Sequence, residues 1–265
     1  MTAPLFQDHF RELAPRYSAL RGLDVRAVRW IGPHLAHLDG GPRGIDVVDV
    51  GTGPGRYLDA LTLELQGRGV EVASVTGVDV SRPMLDALRS SVPNVRPVRA
   101  LAEALPFPAG SCDVVMSFNA VHHFPSLPVF LAEAGRVLRP AGVLVLYTRT
   151  PDQNRATVWG QYFPGFAERE TRLYTRDQLR AALVEAEAFR SARLRSAGWW
   201  QWATLPELVR QARRRHYSTF RYYSAPQFAA ALATFQEHIR ARYPCPWTIP
   251  VRNNHLIALA TKRAA

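Results

Sequence analysis

The sequence predicts an α/β fold, a mostly parallel sheet with helices on both faces. Three observations predict it. A short β-branched run, Val47, Val48 and Val50, reads as a buried strand that stops at Gly51. Glycines then alternate at 51, 53 and 55, and from Tyr57 the apolar residues Leu58, Leu61 and Leu65 take helical spacing. A second strand-like run, Val70 to Val80, carries Asp79 at its end. Strand, glycine turn and helix make the first crossover of a nucleotide-binding sheet.

Each part of that crossover has a chemical reading. Without a Cβ, a glycine lets the chain turn sharply and lets a ligand lie against the main chain. The loop falls beyond the carboxyl end of a strand, where open α/β sheets bind ligands. Asp79, roughly 20 residues past the loop, is placed to accept hydrogen bonds from a ribose diol. A dinucleotide would call for Gly-x-Gly-x-x-Gly, but here the glycines alternate and Arg56 follows them. Asp49, just before the loop, adds a second acidic group.

Asp-Val-Gly-Thr-Gly-Pro-Gly (Asp49 to Gly55) with Val-Asp-Val-Ser (Val78 to Ser81) resembles the class I S-adenosylmethionine-dependent methyltransferases. Three further matches follow in the expected order: Ala102 to Phe107, Asp113 to Phe124 and Glu133 to Leu144. The resemblance runs from about Ile45 to Thr148 and is nearest the branch holding quinone-biosynthesis C-methyltransferases and many small-molecule methyltransferases. It implies a Rossmann-like, seven-stranded, mostly parallel sheet in a single domain over 1–265. Within that domain, 1–40 would be an N-terminal helical lid, 45–200 the cofactor-binding core, 201–254 a helical substrate cap and 255–262 the last strand.

The resemblance also implies a cofactor, S-adenosyl-L-methionine, and a set of residues around it. Asp49, Gly51, Gly53, Gly55, Asp79 and Val80 belong to the first two motifs. Tyr17 falls in the lid, Met84 would pack on the adenine face, and Ala102 and Glu103 follow the third strand where the ring is contacted. The family usually has an acidic residue just before this pair, and here Leu101 stands in its place. The backbone amide of Ala102 can still serve the adenine, since it needs no particular side chain. Asn119 would hold the cofactor's methionine end or orient the acceptor.

Methyl transfer is an in-line displacement, so the enzyme has to align the reactants and exclude water. A protonated nucleophile must also lose a proton, and histidine titrates near neutral pH. His122 and His123, directly off the fourth strand, are the candidate catalytic bases. No metal-ligating cluster is read from the sequence.

Along the rest of the chain, Pro4 to Leu38 reads as helical, with Ser81 capping the helix that carries Met84 and Leu88. Cys112 to Phe118 reads as the fourth strand, Leu127 to Leu138 as a helix in which Glu133 and Arg136 form a structural pair, and Val143 to Tyr147 as the fifth strand. Pro151 to Glu170 is a loop or short helix, Thr175 opens another helix, and Ser191 to Trp200 and His255 to Thr261 are the sixth and seventh strands. Between these last two, Gln201 to Asn254 is too long for a hairpin loop. Its Arg210 to Tyr223 cluster, with Trp199, Trp200 and Trp202, offers either an aromatic pocket with a carboxylate- or phosphate-gripping arginine set or a solvated helix face over core aromatics.

At 265 residues and 47% hydrophobic, the chain can bury one sizeable core and an appendage. The net charge of +11 comes almost wholly from scattered arginines, Lys262 being the only lysine. Cys112 and Cys245 make no disulfide framework, which fits a reducing compartment. No secretory h-region and no membrane-spanning run is read, so a cytoplasmic protein with no membrane partner is expected. The expected partner is a small-molecule acceptor, aromatic or hydrophobic, methylated at C, N or O; the oligomeric state is not read.

Two alternatives stand beside this reading. One is an RNA methyltransferase, favoured by the basic charge but lacking an appended RNA-binding motif or an Asn-Pro-Pro-Tyr-like signature, where Asn119-Ala120-Val121-His122 stands; nucleic acid is disfavoured on that ground. The other is a cofactor-binding methyltransferase-like protein with other chemistry.

Overall fold

A computed structural model describes residues 23–38 and 40–264. The chain divides into two compact units. In the described residues, one comprises 23–148, 176–195 and 257–264, and the other 149–175 and 196–256. Tyr17 and most of the expected lid lie outside the described residues.

The first unit opens with α1 (Val25–Leu35) and β1 (Ile45–Val50), followed by α2 (Arg56–Gln66), β2 (Val72–Asp79), α3 (Arg82–Ser91) and β3 (Arg96–Arg99). It continues through β4 (Cys112–Phe118), a 3-10 turn at Val121–His123, α4 (Leu127–Val137) and β5 (Leu138–Thr148), with α8 (Arg176–Glu185) further on. With β6 (Phe189–Ala203) and β7 (Ile249–Lys262), both of which run on into the second unit, the sheet has seven strands in the order β3-β2-β1-β4-β5-β7-β6. β1 pairs in parallel with β2 and β4, β2 with β3, and β4 with β5. The order turns back between β1 and β4, and it is beyond the carboxyl ends at such a switch point that open α/β sheets bind ligands.

The residues explain why these elements form. Every residue of β4 is buried, as in a parallel strand covered on both faces. Leu58, Leu61 and Leu65 give α2 its buried stripe, and Met84, Leu85 and Leu88 do so for α3. Ser81 occupies the N-cap position of α3, but its side chain makes no capping bond. Its backbone N–H is instead taken by Asp79, at 2.8 Å. Leu138 follows α4 directly into β5, so that strand is longer than the apolar core Val143 to Tyr147 indicates. Glu133 and Arg136 pair at 2.6 Å and together hold the backbone of Leu105 and Phe107, which makes them scaffold.

Opposite ends of the sheet carry different chemistry. At the amino end, Asp113 accepts from the Asp46 N–H at 2.8 Å and pairs with Arg139 at 2.7 Å. At the carboxyl end an aromatic trio gathers. Tyr57 stacks on Phe118 with centroids 4.4 Å apart, and Tyr147 lies 5.4 Å from Phe118. Asp24, the N-cap of α1, joins this trio. Its N–H donates to the Tyr57 hydroxyl at 3.3 Å, and its Oδ2 accepts from the Tyr147 hydroxyl at 2.8 Å.

The second unit is built from α5 (Pro151–Arg155), α6 (Val158–Tyr162) and α7 (Phe166–Arg169), then α9 (Leu205–Arg213), a 3-10 turn at Ser218–Tyr222 and α10 (Ala225–Arg242). Thr150 with Gln153, Thr204 with Glu207 and Ser224 with Gln227 close reciprocal capping boxes, each starting a helix. Aromatic packing fills the centre: Trp159 stacks on Phe235 at 5.0 Å, and Phe163, Phe166, Phe220 and Tyr223 pack around them.

The region expected as a purely helical cap also contains strand. β6 extends to Ala203 and β7 begins at Ile249. Most aromatics of 217–223 join the core of this unit, while Trp200 and Trp202, two apart on β6, stand 63% and 72% exposed. The arginines do not converge: Arg210, Arg213 and Arg214 are exposed, and Arg215 donates to the Phe220 carbonyl at 2.6 Å.

Candidate active site

Gly51, Gly53 and Gly55 all take positive φ, at 74°, 54° and 82°, and they do different work. A Cβ on Gly51 would be driven into the Ala120 methyl, and one on Gly55 into Leu88 of α3. These two glycines therefore let β1, β4 and α3 approach. Among the described residues a Cβ on Gly53 would meet only the Met84 Sδ, at 3.9 Å. Gly53 thus presents bare backbone to open space, the arrangement a ligand lying along the loop requires.

Asp79 fastens this loop. Its Oδ2 accepts from the Gly53 N–H at 2.9 Å while Oδ1 accepts from Ser81. With the Val80 N–H also directed at the carboxylate, its two oxygens together still keep capacity to accept from a ligand hydroxyl. Burial raises the Asp79 carboxyl above its ordinary value, opposed by the N–H groups of Ser81, Gly53 and Val80. Asp49, only 1% exposed, is pushed up to about 7 by burial and by its neighbour Asp79, opposed by the side chain of Thr52. Asp49 Oδ1 is buried with no hydrogen-bond partner among the described residues.

Asn119 ends β4 with φ of 54°, a conformation asparagine tolerates better than most residues, and its N–H donates to the Tyr147 carbonyl at 2.6 Å. The next turn carries His122 and His123, both half-buried, with ring centroids 4.1 Å apart. The turn sits against the loop, because Ala120 and Phe124 are what a side chain at Gly51 would strike.

The other expected residues fall as follows. Met84 is buried beside Gly53, and Val80 is 36% exposed, its carbonyl accepting from Arg99 at 3.1 Å. Ala102 is buried, whereas Leu101, in the usual acidic position, is 53% exposed. Glu103 is half-buried and turns inward: its Oε1 accepts from the Ser126 N–H at 3.0 Å, tying the segment after β3 to the start of α4. Sequence reading missed Ser126 and the Asp24–Tyr57–Tyr147 contacts. The signal for Ser126 was the Ser-Leu-Pro start of a helix, in which Ser126 caps and Pro128 opens the first turn.

Residues 48–146 match the family described as a methyltransferase domain. Over these residues the chain is similar to a methyltransferase domain. The fold is that of the class I, S-adenosylmethionine-dependent methyltransferases, and S-adenosylmethionine is the cofactor it implies. A phthiotriol/phenolphthiotriol dimycocerosates methyltransferase of Mycobacterium ulcerans is 40% identical over 115 residues, 43% of this chain and 40% of that protein. The alignment thus spans about two fifths of that relative's length. An uncharacterized methyltransferase of Mycobacterium bovis is 28% identical over 191 residues, 72% of this chain and 69% of its own. Among solved structures, a candidate methyltransferase from an antibiotic biosynthesis pathway of Anabaena variabilis has a TM-score of 0.66 at 25% identity, covering 92% of this chain and 100% of that one.

The residues around the glycine loop fit the cofactor. Gly53 leaves room against bare backbone, Asp79 borders it, and Asp49 holds a carboxylate oxygen without a partner among the described residues. Gly53→Val tests the fit. A β-branched side chain there would occupy the open space, and SAH affinity measured by calorimetry is expected to fall at least tenfold. Unchanged affinity would place the ligand elsewhere. Among the described residues no group of three or more His, Cys, Asp or Glu is placed to hold a metal, and no helix is long and apolar enough to cross a membrane.

Proposed function

We propose that this chain transfers a methyl group from S-adenosylmethionine to C, N or O of a small metabolite. The observation that carries the reading is the Gly53 cradle bordered by Asp79, with the His122–His123 turn packed against the same loop. When bound, the cofactor's sulfonium supplies an electrophilic methyl. The chain's residues supply the rest. Asp79 accepts hydrogen bonds from the ribose diol, and Asp49, once ionised, offsets positive charge near the loop. Met84 and Ala102 contact the adenine. Tyr17 and Asn119 help to hold the cofactor, and Asn119 fixes the chain's exit from β4. Val80 and Glu103 contribute through the backbone and loop they support.

His122 or His123 takes the acceptor's proton as the methyl moves, while the neighbouring side chains keep water out. The relatives named for phthiotriol and phenolphthiotriol dimycocerosates support a small-molecule acceptor here. The RNA alternative has only the net charge of +11 in its favour.

The experiment is a mass-spectrometric screen of small phenolic, amine and activated-carbon acceptors for a methyl gain, with S-adenosylmethionine as donor. No gain on any acceptor, together with no SAH binding, would overturn the reading. His122→Ala and His123→Ala separate the base from the binding machinery. At least one is expected to lower kcat by about 10²- to 10⁴-fold with SAH affinity within about twofold of wild type. Unchanged turnover in both variants would remove the histidines from the chemistry.

A further inference from the structure

The residue that follows β5 is Arg149, and it is only 7% exposed. Its guanidinium meets neutral partners. Nε donates to the Asn254 carbonyl at 3.4 Å, Nη1 to the Tyr217 hydroxyl at 3.2 Å, and Nη2 to His255 Nε2 at 3.2 Å. Because a guanidinium only donates, His255 Nε2 accepts and the ring's proton is on Nδ1. Trp199 stacks on that imidazole, with centroids 5.7 Å apart and planes at 16°. Among the described residues no carboxylate pairs with Arg149.

Asn253 adds to this assembly. It lies two residues before His255 on β7, so the two side chains share a face, roughly 7 Å apart along the strand. Its Nδ2 is buried with no acceptor among the described residues. The result is a buried cation beside a buried amide donor, all within the second unit. Buried charges are ordinarily paired, because taking them from water unpaired is costly. A guanidinium has five N–H donors, and three meet neutral acceptors here. What completes such a set is an oxyanion, which a guanidinium holds with strong, charge-assisted bonds.

We infer that Arg149, with Asn253 beside it, forms a binding site for the carboxylate or phosphate group of a small molecule. The group is identified by its chemistry alone, a carboxylate or a phosphate carried by a small molecule bound in the second unit. The site does not rest on the methyltransferase reading.

The test uses the whole chain at fixed ionic strength, with inorganic phosphate, benzoate and SAH as probes. Melting and calorimetry are run on wild type, Arg149→Gln, Arg149→Lys and Arg213→Gln, the last an exposed control. Millimolar phosphate or benzoate is expected to raise the Tm of wild type and Arg213→Gln alike. Arg149→Gln should lose that response while melting no lower than wild type without anion, since it removes an unpaired buried charge. The same anion response in Arg149→Gln as in wild type would mean adventitious binding to the basic surface and overturn the proposal. So would a wild type that responds to neither anion. If Arg149→Gln does not fold, Arg149→Lys keeps the charge without the planar fork. It should bind the anion at least tenfold more weakly, and equal binding would overturn the site. Absence of SAH binding by wild type would defeat the methyltransferase reading while leaving the anion arm intact.

Discussion

Asp79→Ala is expected to lower SAH affinity on the order of a hundredfold, the loss of two charge-assisted hydrogen bonds worth about 1.5 kcal/mol each. The variant acts twice. It removes the acceptor for the ribose diol, and it releases the Gly53 and Ser81 N–H groups that the carboxylate now holds at 2.9 Å and 2.8 Å. The loop that should cradle the cofactor is thereby loosened as well. Asp79→Asn separates the two effects, since an amide keeps the volume and one acceptor oxygen but puts an N–H₂ opposite one of the backbone donors. Calorimetry on variants shown to be folded is the measurement. An Asp79→Ala protein that binds SAH as tightly as wild type would remove Asp79 from the site.

Asp49→Asn should stabilise the protein, and the gain should grow with pH. Burial holds the Asp49 carboxyl near 7 in the folded chain against an ordinary value of 3.8. Between those values the folded state keeps a proton that the unfolded state has lost. Stability therefore falls as pH rises from about 4 to about 7 and stays low above that. The gap converts to at most ~4 kcal/mol. An asparagine has no such proton to lose. At pH 8 its Tm should exceed that of wild type by several degrees, since each kcal/mol is worth roughly 2–4 °C in a chain of this size. Near pH 4 the two should nearly coincide. An equal gain at both pH values, or a loss at pH 8, would show that the Asp49 carboxylate is satisfied in the folded state.

What could be read from the residues, and what could not, follows from the range of the forces involved. The strands and helices of the first unit were legible because period and glycine placement are local: β4 was bounded at Cys112 and Phe118, and α2 by its leucines. The contacts that shape the site are not local. Glu103 reaches Ser126 across 23 residues and Asp24 reaches Tyr147 across 123, so no spacing rule points to either. Ser81 shows the limit of a local rule. It holds the expected N-cap position, yet Asp79, two residues earlier, accepts from its N–H. The arginine and aromatic cluster of 210–223 was open to two readings. The outcome there was decided by packing: Phe220 and Tyr223 fill the core of the second unit, while Arg210, Arg213 and Arg214 are exposed and Arg215 is taken up by the Phe220 carbonyl. Arg149 escaped notice because only its burial, not its neighbours in sequence, makes it unusual.

The tryptophans are unevenly shared. Trp159, Trp199, Trp200, Trp202 and Trp247 belong to the second unit, which leaves Trp30 alone in the first. Intrinsic emission is therefore a natural optical tag on the second unit, while any ligand held by the loop at 51–55 acts on the first. Trp159 is 3% exposed and Trp202 72%, so an aqueous quencher would distinguish the two indole populations before either unit melts. If emission and far-ultraviolet ellipticity lose their signals at one temperature, and SAH moves both together, the two units form a single cooperative body. If SAH shifts the ellipticity and leaves the emission midpoint where it was, they unfold as separate bodies, and the second can be screened for its own ligands by fluorescence.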